Sequence, residues 1–380
     1  MDIVTIKIFA GIIVGGNIVE LNPNQIKAVN TIDKNVAVNA GAGSGKTRVL
    51  VERYLYLLEN GNISDGKEVE SIVAITFTVK ASQEMKERIR EEIRKKFLLD
   101  KKWRTLYRDL EKANISTIHS FCSKILRENP IEAKLDPQFI VLEEYEGNKL
   151  LHETIRKILL EGIENSLDVY EFAKSFNVYN LDGLIDTLMY LYQRVRSTGM
   201  PFEQVGAITI DNIENISFDE DTIFHIKEEL EYLIPKGRKN SKLSNLKEDP
   251  KWINFSQMLE YDETILDTIY YLKGNIGNMK SEAERIDSLK KDMDRVLLVK
   301  EKQKLALYKT IISLLIEIDN EYSKEKNSLG YLDYEDLQLK TSALLDIEHI
   351  RRRYQEKFKY IMVDEFQDTN ELQRQIIYKL

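Results

Sequence analysis

Little in these 380 residues could staple, stiffen or interrupt a fold. There is one cysteine, Cys122, so no internal disulfide is possible and a disulfide-built scaffold is excluded. A single thiol fits a reducing cytoplasm. With no second Cys or paired His at ligand spacing, Cys122 reads as a small core residue, neither nucleophile nor zinc ligand. Six prolines and 17 glycines are too few for a fibrous or low-complexity chain. Long apolar runs are missing as well. The richest stretch, residues 1–19, holds Ile3, Val4, Ile6, Ile8, Phe9, Ile12, Ile13 and Val14. It is too short to span a bilayer, carries Asp2 and Lys7, and has no small-x-small cleavage site. It reads as an extra strand or an ill-defined leader, and no membrane partner is expected. Excess positive charge is absent too: the net charge is −8, which argues against a uniformly basic nucleic-acid binder. The charge is uneven, however. Residues 1–140 carry 22 Lys+Arg against 18 Asp+Glu, and the remainder 33 against 45, so any affinity for nucleic acid needs a local basic groove.

What is present is a large apolar fraction. Hydrophobic residues make up 43% and charged residues 31%, which fits a globular chain with a sizeable core, and the length suggests two or three domains. Through the first 128 residues short apolar strands alternate with amphipathic helices. Val36–Val38 precedes a helix from Lys46 to about Asn60. Ile72–Ile75 precedes one from about Lys80 to Phe97. Ile115–Ile118 precedes one from about Ser120 to Arg127. This alternation predicts a parallel sheet covered on both faces, with functional groups at the C-terminal strand ends. From about Phe139 to Ser328 the pattern turns helical, with helices over 150–164, 181–195, 222–234, 258–271 and about 281–322. In the last, Leu297, Leu305, Tyr308, Ile312, Leu315, Ile318 and Tyr322 recur at three- and four-residue steps, as one stripe of a bundle or of a coiled-coil dimer.

Two segments carry recognisable chemistry. Ala40-Gly41-Ala42-Gly43-Ser44-Gly45-Lys46-Thr47 follows the strand Val36–Val38 and opens a helix. Its glycines let the backbone curl so that N–H groups face an anion, Lys46 reaches the β- and γ-phosphates, and the Thr47 hydroxyl can hold Mg²⁺. Ala40 stands where the strict phosphate-loop pattern has Gly. The helix offers its positive end to the same phosphates. More than three hundred residues later, the apolar run Phe358–Val363 ends in Asp364-Glu365-Phe366-Gln367-Asp368. An acid at the end of a buried strand is where a nucleoside triphosphatase holds its metal. Asp364 would hold Mg²⁺, directly or through water, and Glu365 would take the proton of the attacking water. Gln367 would orient that water or sense the γ-phosphate, or else only brace the turn. Asp368 reads as structural.

Further segments give a resemblance. Asp364–Asn370 with Gln373 resembles motif II of the UvrD/Rep group of superfamily 1 DNA helicases. Leu21-Asn22-Pro23-Asn24-Gln25 resembles the adenine-reading Q motif of that family. Thr76-Phe77-Thr78-Val79-Lys80-Ala81-Ser82-Gln83-Glu84-Met85 resembles motif Ia, with Ser82 where the family has a second Ala. Thr117-Ile118-His119-Ser120-Phe121-Cys122 resembles motif Ib, and Leu332–Leu337 the acidic-aromatic segment ahead of motif II. Thr117 to Phe139 is most similar to the AddA component of bacterial ATP-dependent helicase-nucleases. The resemblance implies a RecA-like ATP-binding α/β domain over 1–138 and 329–380, interrupted by a helical accessory domain over 139–328. It implies ATP and Mg²⁺ as cofactors, 3′-to-5′ unwinding, and a role in DNA repair and recombination. It implies single-stranded DNA or a single-strand/duplex junction as partner, with a second helicase-nuclease subunit. Motifs III to VI and a nuclease domain are not found in the 380 residues. The chain is therefore expected to be the N-terminal part of such a helicase, as an expressed fragment or a truncated product.

The resemblance also nominates contacts. Gln25 would pair with adenine. Phe77, just past a strand end, would stack on a base, unless it is a core residue. Thr76, Thr78, Thr117, Ser120 and His119 would meet phosphate oxygens. The basic run from Arg88 to Arg104 is interleaved with acids and reads as a solvated face. Two rival classes remain open at this level. One is another phosphate-loop enzyme such as a small-molecule kinase, against which the Thr117–Cys122 and Asp364–Gln373 segments argue. The other is a non-enzymatic nucleotide- or DNA-binding remnant.

Overall fold

The computed structural model describes residues 3–8, 21–41, 43–64, 66–97, 100–176, 181–216, 220–258 and 265–380. The chain divides into two compact units. The first comprises residues 1–151, 196–199 and 322–380, the second 152–195 and 200–321.

The first unit is mixed α/β and holds every strand among the described residues: β1 (Ile3–Ile8), β2 (Asn35–Ala40), β3 (Ile72–Thr76), β4 (Asn114–Thr117), β5 (Ile140–Val141), β6 (Tyr331–Leu332) and β7 (Tyr360–Val363). Its helices include α1 (Pro23–Asn30), α2 (Lys46–Asn60), α3 (Val79–Lys96), α4 (Ile118–Glu128), α5 (Tyr334–Asp346), α6 (Glu348–Lys357) and α7 (Glu371–Lys379). All strand pairs are parallel, as the strand–helix alternation predicts. The strands form three small sheets, β1-β2, β4-β3-β7 and β5-β6. The single sheet covered on both faces is met only around β3, whose five residues are all buried. Side chains there alternate between two cores, as the two-residue strand period requires. Ile72 and Ala74 join α2 and α3 residues such as Tyr54, Leu58, Ile89 and Ile93. Val73 and Ile75 join Phe121 and Ile125 of α4, Leu345 of α5 and Ile376 of α7. By contrast β2 is largely exposed. Its sequence, two valines and two alanines between and beside two asparagines, offers too little apolar area to draw cover onto both faces. In the apolar N-terminal stretch, Ile3–Ile8 is indeed a strand, parallel to β2, while residues 9–20 lie outside the described residues.

The second unit is helical among its described residues. One core gathers Ile223, Leu230, Phe255, Ile269, Leu289 and Met293. A second buried set includes Leu188, Tyr192, Leu314 and Ile318, and the Tyr192 hydroxyl donates to Asp319 at 2.7 Å. Two expectations change. The single helix predicted over 281–322 is two, Ala283–Leu297 and Leu305–Leu329, joined by the 3₁₀ segment Leu298–Lys304. Its polar run Lys300-Glu301-Lys302-Gln303-Lys304 has no apolar side chain to continue the stripe. The helix predicted over 258–271 is replaced by Pro250–Gln257 and Ile265–Asn275, with 259–264 outside the described residues. Asp249 caps the first of these and Pro250 opens it, a start signal readable in sequence. No helix among the described residues is long and apolar enough to cross a membrane.

Candidate functional site

The phosphate loop leaves β2 at Ala40 and enters α2 at Lys46. Gly43 (φ 74°) and Gly45 (φ 84°) are left-handed, where a side chain would clash with the backbone. Ala42 lies outside the described residues. The loop closes on itself: the Ser44 hydroxyl donates to the Gly41 carbonyl at 2.7 Å, and Ser44 is buried. Gly45 caps α2 with no side-chain bond to the first-turn amides. Those N–H groups and the helix dipole therefore point at whatever the loop holds, and an anion suits them.

Gln25, nominated for adenine, is buried and bonded within the chain. Its Nε2 donates to the Ser44 carbonyl at 3.0 Å, and its Oε1 accepts from the Asn22 amide at 2.9 Å. The Asn22 side chain in turn accepts from the Gln25 amide, completing a capping box at the start of α1. Gln25 thus braces the loop. The spacing Asn22-Pro23-Asn24-Gln25 is itself a helix-start signal, so the sequence carries this role as well as the resemblance.

Across the cleft, β7 delivers the carboxylates. The Asp364 amide extends the ladder by donating to Ile75 O at 2.9 Å. The next residue, Glu365, is left-handed (φ 50°, ψ 45°), a strained conformation for a residue with a side chain. That turn brings the Glu365 carboxylate to the loop, where Lys46 Nζ donates to its Oε1 at 2.6 Å, 319 residues away in sequence. Gln367 Nε2 donates to the other oxygen, Oε2. Lys46 and Glu365 are each about one-third exposed, at 34% and 32% of the side chain. The bond to Glu365 holds the Lys46 ammonium above its ordinary pKa. Bonds from Lys46 and Gln367 hold Glu365 below the usual carboxylate range. Burial, then the neighbouring Glu365 charge, pushes Asp364 up. Asp364 and Thr47 are half-buried, so a cation here would meet hard oxygen donors. No cluster of three His, Cys, Asp or Glu that could cage a metal is found among the described residues. Sparse protein ligation is what Mg²⁺ tolerates when phosphates and water supply the rest.

The nominated nucleic-acid residues gather at the same strand ends. Thr76, Phe77, His119, Asp364, Glu365 and Gln373 line one cleft. Phe77 is 68% exposed, so the core alternative is excluded for it. Three of the hydroxyls have local work. Thr76, buried, donates to the Thr78 carbonyl at 3.0 Å. Thr78 caps α3 by accepting from the Ala81 amide, and Thr117 caps α4 by accepting from the Ser120 amide. The Thr117 hydroxyl donates to Ser120 Oγ at 3.0 Å. Capping accounts for the residue types of Thr78 and Thr117. His119 lies against the Tyr334 ring, 4.5 Å between centroids, with Gln338 Nε2 3.0 Å from its Nε2. Burial lowers its pKa, which keeps the imidazole neutral. Tyr334, the aromatic of the Leu332–Leu337 segment, and Gln338 lie four apart on one face of α5 and both reach His119. No motif in the sequence marks Gln338. Cys122 is fully buried in α4, and burial pushes its thiol up to about 12, which leaves it inert. In the basic run, Arg90 pairs with Glu87 and Glu111, Lys95 with Glu92 and Lys96 with Glu59, a solvated face as expected.

The AddA components of the ATP-dependent helicase/nucleases of Lactobacillus gasseri and Clostridium novyi are each 28% identical to this chain, over 418 and 414 residues. That of Lactobacillus johnsonii is 29% identical over 412. The alignments cover 93%, 94% and 93% of this chain but only 34%, 33% and 34% of those proteins, so the chain spans about a third of their length. The UvrD/REP helicase N-terminal domain family matches residues 21–380, which takes in the loop, the cleft and the carboxylates together, and the chain belongs to that family.

Proposed function

We propose that this chain is the ATP-binding part of an ATP-dependent, 3′-to-5′ DNA helicase from a helicase-nuclease of DNA repair and recombination. The observation that carries the reading is the meeting of Lys46 and Glu365 at 2.6 Å, which joins the phosphate loop after β2 to the carboxylate pair after β7. In this reading the first unit is a RecA-like domain and the second its helical insertion. Lys46 and the first-turn amides of α2 hold the β- and γ-phosphates. Thr47 and Asp364 would hold Mg²⁺, which would supply neutralisation of phosphate charge. Glu365 accepts a proton from the attacking water, and Gln367 keeps its carboxylate oriented. Phe77 offers a ring to single-stranded DNA or a strand junction. A second helicase-nuclease subunit is the expected protein partner, by the names of the relatives.

The test is nucleotide binding and turnover. The 380-residue chain should bind MgATP but turn it over negligibly, because an arginine finger, typically worth about 10³–10⁵ in rate, belongs to motifs it does not contain. Joined to a second motor domain, it should hydrolyse ATP in a DNA-stimulated way, and Glu365→Gln should slow turnover by roughly 10²–10⁴. Metabolite-stimulated rather than DNA-stimulated hydrolysis would move the chain to another phosphate-loop class.

A further inference from the structure

We propose that Gln338 is a positioning residue for His119: it fixes the imidazole as the neutral tautomer with its proton on Nδ1, so that the ring offers the cleft a hydrogen-bond donor there. The inference rests on the reading of the cleft as a track for single-stranded DNA. Its basis is the local hydrogen-bond geometry. Gln338 Nε2 lies 3.0 Å from His119 Nε2 and donates to the Tyr334 carbonyl at 3.2 Å. The side-chain atom at that place has to be a donor, because an amide oxygen there would face the Tyr334 oxygen with no hydrogen between them. An amide nitrogen carries two hydrogens, one for each partner. His119 Nε2 must then accept, and a neutral imidazole that accepts at one nitrogen carries its proton on the other.

The surroundings hold this arrangement in place. Gln338 is 1% exposed, so water does not compete for its amide. Its Oε1 is buried without a hydrogen-bond partner among the described residues, so the amide is held by the contacts of its nitrogen alone. The His119 ring lies against Tyr334, tilted by 31°, which restrains the imidazole plane. A second proton, on Nε2, would set two donors against each other, and burial disfavours the charge as well. His119 Nδ1 has no hydrogen-bond partner among the described residues, and the residue lines the cleft with the exposed Phe77. The donor left over is therefore Nδ1–H. It suits a phosphate oxygen of the strand, through a neutral contact that adds nothing to the ionic part of binding.

The test is nitrogen-15 histidine labelling of the 380-residue chain, read by long-range proton–nitrogen spectra near neutral pH. His119 is assigned among the four histidines by the signal that disappears in His119→Ala. Its expected pattern is neutral Nδ1–H. An Nε2–H or charged ring in the wild type overturns the proposal, and that result needs no variant at Gln338 to fold. Gln338→Met keeps the length and removes the donor, so the Nε2–H form should appear; an unchanged Nδ1–H pattern overturns the proposal too. Binding of a fluorescent oligothymidylate tests the consequence. Gln338→Met should weaken it by about two- to tenfold, the weight of one hydrogen bond, and should add nothing in a His119→Ala background. Equal losses with and without His119 would mark a structural effect and overturn the positioning role. If neither Phe77→Ala nor His119→Ala weakens binding, the single-strand reading itself fails; if Phe77→Ala does and Gln338→Met does not, only the positioning fails.

Discussion

The first unit contains two clusters of opposite charges that differ in nearly everything except composition. One is the Lys46–Glu365 pair, a third exposed, with single contacts and a strained backbone. The other is a closed ring. Arg196 donates to Asp333 at 3.0 Å and to Asp336 at 2.6 Å, and Lys326 donates to the same two carboxylates at 2.5 Å each. Arg196 and Lys326 are 5% and 1% exposed, and the Lys326 ammonium also lies 4.1 Å from the Tyr322 ring. Asp333 doubles as the cap of α5 in a capping box with Asp336. Burial alone would raise the Asp333 carboxyl; Arg196 and Lys326 outweigh it and hold the group well below the usual range. Buried charges that are fully paired are hard to separate, whereas exposed ones exchange cheaply. The ring therefore fastens Arg196 and Lys326 to the start of α5, and the open pair is free to change partners.

The largest expected effect breaks the ring. Lys326→Met leaves two buried carboxylates sharing one cation and should cost about 3–5 kcal/mol in urea or thermal unfolding. Acid should act the same way, more gradually. Asp333 has a depressed folded pKa, so its contribution is fully present above the unfolded value of about 3.9 and is lost as pH falls below that. A variant that unfolds like wild type would show that the ring fastens nothing.

Next comes the open pair. Lys46→Ala should leave stability within about 1 kcal/mol, as for other exposed pairs. It should weaken MgATP by roughly 10- to 100-fold, the value of charge-assisted bonds to phosphate. Equal titrations of wild type and Lys46→Ala would remove the loop as the site. Phe77→Ala should weaken single-stranded DNA by roughly 1–3 kcal/mol, while the dependence of affinity on salt stays nearly constant because stacking is not ionic. With Phe77 exposed, its melting point should not move; a large drop would return Phe77 to the core.

These two clusters also mark what can be read from the residues. The loop and Asp364–Glu365 are legible because each motif is contiguous and sits between a strand and a helix. The β3 core is legible from its unbroken apolar run. The ring is not. Its four members are spread over 140 positions, and an Arg or Lys in a helical stretch carries no mark of burial. Gln25 satisfies two patterns at once, a resemblance to a base-reading motif and a capping box, and the hydrogen bonds of the structure display the second. The break at Leu298–Lys304 is blurred because apolar residues on either side happen to keep three- and four-residue steps. Phe77 falls at a strand end as expected, yet its exposure depends on which elements cover β3, a tertiary matter.

The smallest expected effect sets the two clusters against each other in one residue. Glu365 holds a left-handed backbone, which for a residue with a Cβ is unfavourable by roughly 1–2 kcal/mol. Glycine accepts that conformation freely but gives the unfolded chain more entropy, which offsets part of the gain. Losing the Lys46 contact removes little, since the pair is exposed. Glu365→Gly should therefore be neutral to slightly stabilising, by on the order of 0.5 kcal/mol, in the same melt where Lys326→Met is strongly destabilising. In the form joined to a second motor domain it should lose turnover as Glu365→Gln does. Such a split, with stability kept or gained and activity lost, is the behaviour of a residue retained for chemistry at some expense to the fold. A clear destabilisation by Glu365→Gly would instead mean that the carboxylate holds the motif II turn together, and the contrast between an exchangeable pair and a fastening ring would collapse.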